Sequence, residues 1–322
     1  MTASFRKVDY SLRPSKHAER RMLGEVFRHL RPFQPVEDYV YVGFGSVWFA
    51  EFGLYHRSLG IKKMISIERQ ADAKSRIDAN KPFACVQVDY RSSTLAIPDL
   101  DWTKRQFIWL DYDDPINIDM LLDARSVAAR ARSGTVFAIS MQCQKAIEVS
   151  DAEADKGGPT AFARFVGRFG EERLGADSSE ADLFGWRFGR ISRRIILQEI
   201  EAALVARNAG VEDGQKVSLE PICSFEYDDD TKMTTVVAVF VCKDEAQQMR
   251  ACRFEALDFI SEAGKPVRIP FPKITPREVR LIEQTLPWPP GEAKQIAAIP
   301  PSEAASFAKF YRYWPSYAVL EG

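Results

Sequence analysis

Between residues 38 and 141, short apolar runs alternate with stretches of helical period, and this alternation restricts the fold more than any other feature. DYVYVGFG (38–45), KMISIE (63–68), FACVQVD (83–89), RQFIWLD (105–111) and GTVFAISM (134–141) are apolar and strand-length. The intervening stretches are long enough to cross back over a sheet, so the strands run parallel with helices on both faces. The apolar runs lack the strict alternation of a half-exposed sheet, as expected for strands buried on both sides. Between 217–227 and 234–242 the pattern changes: two apolar strands flank the turn-forming DDDTKM, which predicts an antiparallel hairpin. The expected fold is α/β: a doubly wound, seven-stranded, mostly parallel sheet whose last hairpin is antiparallel.

The rest of the chain is organised around that sheet. Residues 1–37 read as an N-terminal helical cap, with a helix from Pro14-Ser15 to about Leu30, Ser15 as N-cap and Pro32 as stop. The sheet domain spans 38–245. Within it, 149–186 is an insertion, polar and Gly-rich, with one helical stripe of Phe162, Phe165 and Phe169. A helix over 193–208 leads into the hairpin. Residues 246–322 read as a small α-rich C-terminal appendage, with helices at 274–286 and 302–314 between prolines.

Composition excludes several classes. The formal net charge is −1 over 322 residues, which gives no global attraction to nucleic acid or anionic membranes. No apolar run reaches membrane-spanning length, and the N-terminus lacks a signal core. The five cysteines are scattered without a CxxC, and with three histidines they form no zinc pattern. Buried free thiols in a cytoplasmic protein are expected.

Strand ends carry the chemistry. The first strand runs into Gly43-Phe44-Gly45-Ser46 before a helix expected over 46–59, where glycines allow close approach of a ligand and the helix offers free N–H donors. Glu68 ends the second strand, 23 residues after Gly45, where a carboxylate can accept from both hydroxyls of a ribose. Asp89-Tyr90 ends the third. Asp111, Asp113 and Asp114 end the fourth, and acids this close require a cation, a donor or water. The competing reading makes Asp113-Asp114-Pro115 the cap of the next helix. His56, near a helix end, is read as structural. Arg13, Lys16 and Arg20 make a basic stripe, read as a solvated face. The C-terminal Phe307, Phe310, Tyr311, Tyr313, Trp314 and Tyr317 interleave with Lys309 and Arg312, and are read as a packing stripe rather than a base-stacking surface.

This order of strands and strand ends resembles the class I, Rossmann-like methyltransferases that use S-adenosylmethionine (SAM), over roughly 38–242. The resemblance implies SAM as cofactor, with Gly43, Phe44, Gly45 and Ser46 beneath its methionyl part and ribose, Glu68 on the ribose, and Asp89 and Tyr90 at the adenine. Tyr41 stands where that family carries an acid, two residues before the first glycine. FIWLDYDDPIN (107–117) is similar to the acidic fourth strand of the caffeoyl-CoA type O-methyltransferases, with Asp111 and Asp113 on its two acids. It implies an oxygen acceptor approached over catalytic Asp111, Asp113 and Asp114. A divalent metal is the less favoured reading, because the family's lysine is replaced by Asp114 and its later metal acid is absent. Two alternatives remain open: a SAM- or nucleotide-binding sensor or scaffold without transfer chemistry, and a nucleic-acid methyltransferase, again less favoured.

Overall fold

The computed structural model describes residues 13–149, 158–175, 177–260, 264–270, 272–289 and 291–315. Tyr317 lies outside them. One sheet runs through the molecule in the order β3-β2-β1-β4-β5-β7-β6-β8. Its strands are β1 (Val40–Gly43), β2 (Lys63–Ile67), β3 (Val86–Asp89), β4 (Gln106–Pro115), β5 (Thr135–Gln142), β6 (Val217–Asp228), β7 (Lys232–Cys242) and β8 (Val267–Ile269). The first five are parallel, and β7 lies antiparallel between β5 and β6. The expectation of seven strands is therefore corrected to eight. The extra strand, three residues between prolines, is too short to stand out in a sequence; it pairs parallel with β6 at Phe225–Tyr227.

Ten helices accompany the strands among the described residues: α1 (Pro14–His29), α2 (Ala50–Leu59), α3 (Lys74–Ala79), α4 (Ser93–Ala96), α5 (Ile118–Arg130), α6 (Ala161–Phe169), α7 (Gly185–Arg207), α8 (Ala246–Ala251), α9 (Pro276–Glu283) and α10 (Pro301–Phe310). Successive strand side chains point to opposite faces. Tyr41, Phe107 and Trp109 enter one apolar core with Met22, Leu23, Val26 and Phe27 of α1 and Phe52 and Tyr55 of α2. Val40, Val42, Ile108 and Leu110 enter the other, with α5 and α7. Both faces are buried, which explains why the strand runs read as continuously apolar.

Residues beyond 246 join the α1 side of the sheet. Phe254, Phe259, Ile269, Ile282, Phe307, Phe310, Tyr313 and Trp314 belong to the same buried cluster as α1. The aromatic residues of α10 are thus packing groups, with Phe310 against Trp314 at 6.5 Å edge to face. In the insertion, Phe165 and Phe169 of the expected stripe are buried against Phe188 of α7, while Phe162 is half-buried.

The start of α1 departs from expectation. Arg13, not Ser15, occupies the N-cap position, and no local side chain caps the helix. The free N–H groups of Ser15 and Lys16 instead donate to the two carboxylate oxygens of Asp229, at 3.3 and 2.9 Å. Asp229 lies in the β6–β7 turn, so α1 is capped from 213 or more residues away. This pins the start of α1 at the carboxyl ends of the parallel strands.

A charged cleft beside the glycine loop

β1 is flanked by β2 and β4, so the chain departs from it in both directions. Open α/β sheets hold ligands at such a point, beyond the strands' carboxyl ends. Gly43 stands level with Ser66 of β2 and Trp109 of β4. The chain does not enter α2 at Ser46, as the periodicity predicts, but at Ala50. Ser46 (φ 53°) and Phe49 (φ 46°) take left-handed backbone instead, a conformation that costs non-glycine residues about 1–2 kcal/mol. Four residues thereby become a loop over the sheet edge.

β2 ties that loop down. The Gly45 N–H donates to Ser66 Oγ at 3.0 Å, and the Ser46 N–H to Glu68 Oε1 at 2.5 Å. The Ser66 hydroxyl donates to the same Glu68 oxygen at 3.1 Å. Glu68 is 8% exposed. Burial raises its carboxyl above the usual range, opposed by the donors from Ser46, Ser66 and Gly45. Ser66 escaped the sequence reading, although its position two residues before Glu68 on a strand puts both on one face.

The loop glycines are required for a reason other than ligand space. A Cβ on Gly45 would lie 2.5 Å from the Phe49 ring and 2.7 Å from Ser66 Oγ. One on Gly43 would lie 2.7 Å from the Tyr41 hydroxyl and 3.1 Å from the Trp109 carbonyl. Gly45→Ala is therefore expected to lower stability by about 1–3 kcal/mol, the usual cost of overpacking. Denaturant unfolding without any cofactor checks this; an unchanged midpoint would contradict it.

Asp89 and Tyr90 follow at the end of β3. Asp89 is engaged by Arg91 through both carboxylate oxygens, at 2.9 and 2.7 Å, and Arg91 reaches Asp99 at 2.6 Å. The Arg91 hydrogen bond holds the Asp89 carboxyl below its ordinary range. The Tyr90 hydroxyl donates to the Lys74 carbonyl at 3.3 Å, and its ring sits 5.0 Å from the Lys74 ammonium.

The acids of β4 do not form one cluster. β4 continues through them to Pro115. Asp111 pairs with Lys16 Nζ at 2.5 Å, whereas Asp113 and Asp114 are exposed at the rim. The helix that follows is capped by Asn117, which accepts from the Met120 N–H, so capping does not account for Asp113 and Asp114. Tyr112 faces the other side of the sheet, donates to Asp123 and meets Phe44 edge to face at 5.0 Å. Among the described residues, no group of three or more His, Cys, Asp or Glu is placed to hold a metal ion. His56 Nδ1 lies 2.8 Å from the Ile61 carbonyl and its ring 4.2 Å from Phe83, a packed helix end.

The expected solvated basic stripe is corrected: Lys16 is 2% and Arg20 5% exposed. Lys16 Nζ also meets Glu19 at 2.9 Å and lies 4.3 Å from the Trp109 ring. Arg20 Nε meets Glu51 of α2 at 2.6 Å. Glu19 is fully buried, and Thr235 of β7 donates to its second oxygen. Thr235 is 2.7 Å from Ser140 Oγ, which accepts from the Trp109 indole at 2.9 Å. These partners come from α1, α2, β4, β5 and β7, and long-range pairing of this kind leaves no signal in local spacing.

The model of a family described as "Putative O-methyltransferase" matches residues 8–322. The chain belongs to this family. No protein with a curated description matches it. Among solved structures it is similar to an S-adenosylmethionine-dependent methyltransferase from Clostridium acetobutylicum, at 10% identity over 73% of this chain and 94% of that one, TM-score 0.39. It is also similar to the O-methyltransferase TomG from Streptomyces achromogenes, solved with SAM, at 14% identity over 73% and 91%, TM-score 0.35. The mostly parallel sheet, with β7 antiparallel beside β5, is the Rossmann-like sheet expected of a class I methyltransferase.

The loop and the end of β2 carry buried polar atoms that a polar ligand could engage. Ser46 Oγ, in the loop itself, is buried with no hydrogen-bond partner, as is Gln70 Oε1 just beyond β2. Buried polar atoms left unpaired cost about 1–3 kcal/mol each, which a polar ligand can relieve. Glu68 has one oxygen committed to the loop. Among the described residues, no helix is long and apolar enough to cross a membrane.

Proposed function

We propose that this methyltransferase binds SAM across Gly43, Phe44, Gly45 and Ser46, and transfers the methyl group to an oxygen of an acceptor lying over the end of β4. The observation that carries the reading is the tie between loop and strand: Glu68 and Ser66 hold the Gly45 and Ser46 N–H groups at the point where the sheet order diverges. The free oxygen of Glu68 takes the ribose hydroxyls, and Asp89 and Tyr90 border the adenine. When bound, SAM supplies an electrophilic methyl carbon on a sulfonium.

The chain's own part is positioning and proton removal. In-line displacement rewards fixed geometry. Asp113 and Asp114, exposed at the rim of β4, are placed to receive the proton of an acceptor hydroxyl. Asp111, the third acid, is already held by Lys16. An oxygen acceptor is supported by the family description and by the acidic fourth strand.

Incubating the protein with methyl-labelled SAM and fractionated cell extract tests the acceptor chemistry. The expected product carries the label on oxygen, as an ester that releases methanol in alkali or an ether that resists it. Label found on nitrogen or carbon would overturn the oxygen assignment.

A further inference from the structure

The hydroxyls of Ser15 and Tyr227 are buried without a hydrogen-bond partner among the described residues. Ser15 is 0% and Tyr227 1% exposed. Leaving a buried hydroxyl unpaired opposes folding, and native proteins rarely tolerate it without a use for the group. Here two such hydroxyls come from distant parts of the chain to one place.

That place is the α1 side of the sheet, near the end of β4. Ser15 shares the buried stripe of α1 with Ala18, Glu19 and Met22, so it faces the sheet. The N–H groups of Ser15 and Lys16 donate to Asp229, two residues beyond Tyr227. From the same helical turn, Lys16 Nζ lies 5.6 Å from the centre of the Tyr227 ring and 4.3 Å from that of Trp109, and it meets Asp111 at 2.5 Å. Tyr227 therefore leans from β6 across β7 toward the end of β4, where Asp113 stands two residues beyond Asp111. Burial raises the Tyr227 hydroxyl well above its ordinary value, the carboxylates of Glu19, Asp111 and Asp229 add to the rise, and Arg20 opposes it. The phenol thus keeps its proton and acts as a donor. The same carboxylates repel an anion, and Lys16 is already bonded to Glu19 and Asp111.

We infer that Tyr227 and Ser15 hold the methyl acceptor through an uncharged oxygen, a carbonyl or a hydroxyl, distinct from the oxygen that is methylated. The inference rests on the methyl-transfer reading above and narrows the substrate class to compounds with such a second oxygen function. Tyr227 donates to that oxygen, and the Ser15 hydroxyl completes its hydrogen bonding. The first turn of α1, which covers both hydroxyls, is held at its start by Asp229, and the acceptor enters as that turn lifts. Anchored there, the acceptor extends toward the rim of β4 and brings its reacting oxygen to Asp113. Tyr227 and Ser15 are then substrate ligands, and neither takes the proton.

Tyr227→Phe, Ser15→Ala and Ser15→Thr, each in the full chain, test this against the wild type. Three quantities are measured: Tm, calorimetric affinity for S-adenosylhomocysteine, and the initial rate of transfer from methyl-labelled SAM into one cell-extract fraction at several dilutions. Tyr227→Phe and Ser15→Ala should keep the wild-type Tm or exceed it, because each removes an unpaired buried hydroxyl, and should keep the affinity for S-adenosylhomocysteine. Their transfer rates in dilute extract should fall by about 3- to 10-fold, the worth of a hydrogen bond between uncharged groups. The deficit should shrink as the extract is concentrated, the mark of weakened acceptor binding, and Ser15→Thr should recover most of it. The labelled product should pass an anion exchanger unretained at neutral pH. Wild-type rates in both deletions, or a Tm lowered by several degrees in both, would assign the hydroxyls to the architecture and overturn the inference. A labelled product retained by the exchanger would overturn the uncharged oxygen. A wild type that binds S-adenosylhomocysteine and labels nothing in the extract would overturn the transfer reading and this inference with it, while leaving the cofactor site in place.

Discussion

Lys16→Met is expected to destabilise the fold by about 3–5 kcal/mol, the cost of removing one partner from a buried ion pair. Methionine fills much of the volume, so the loss is electrostatic. Glu19, fully buried, and Asp111 would each face the Trp109 and Tyr227 rings without the ammonium between them. Burial already raises the Glu19 carboxyl, and Lys16 opposes that rise. Without Lys16 the folded-state value moves further above the unfolded one. A group of that kind contributes stability that is present below its unfolded value and lost as pH rises through the folded one. The variant's deficit should therefore be larger at about pH 8 than at about pH 5, and Glu19→Gln added to it should recover part. Urea unfolding at both pH values measures this. A deficit below about 1 kcal/mol at both would show that the network is not structural.

Asp113→Asn is expected to lower methyl transfer by roughly 10²–10⁴, the usual worth of a general base. The amide keeps the shape and loses the ability to take a proton. Affinity for SAM should be unchanged, because Asp113 stands at the rim of β4, away from Ser66 and Glu68, which hold the loop. Thermal stability should hardly move, because Asp113 is exposed at the rim and does not cap α5. Turnover on the acceptor found with labelled SAM, together with SAM affinity and Tm, separates this from any architectural role. Wild-type turnover in Asp113→Asn would remove that residue from the chemistry.

The parts of this site that could be read in the sequence are those fixed by strand period and strand ends. Four of the five apolar runs close on a glycine or an acid, which placed Gly43, Glu68, Asp89 and Asp111 at the carboxyl ends of parallel strands. The hairpin was legible because DDDTKM interrupts two long apolar strands. What was not legible depended on contacts across the chain. Lys16 and Arg20 look like a solvated pair at helical spacing, and only the arrival of Glu51 and Asp111 from other elements makes them buried. Asp229 looks like one of three turn aspartates until α1 docks on it. Glu19 did carry a trace: it sits three residues before Met22 and seven before Val26, on the apolar stripe of its own helix. β8 was hidden by its length.

The central claim is that the loop held by Glu68 is the cofactor site. Glu68→Ala removes the acceptor for the ribose hydroxyls and releases the Ser46 N–H together. Titration of the wild type and of Glu68→Ala with SAM tests the claim most directly. The account predicts that the wild type binds, and that the variant, still folded by circular dichroism, binds at least about 1.5–3 kcal/mol more weakly. Equal affinity in the two proteins would place the cofactor elsewhere and contradict it.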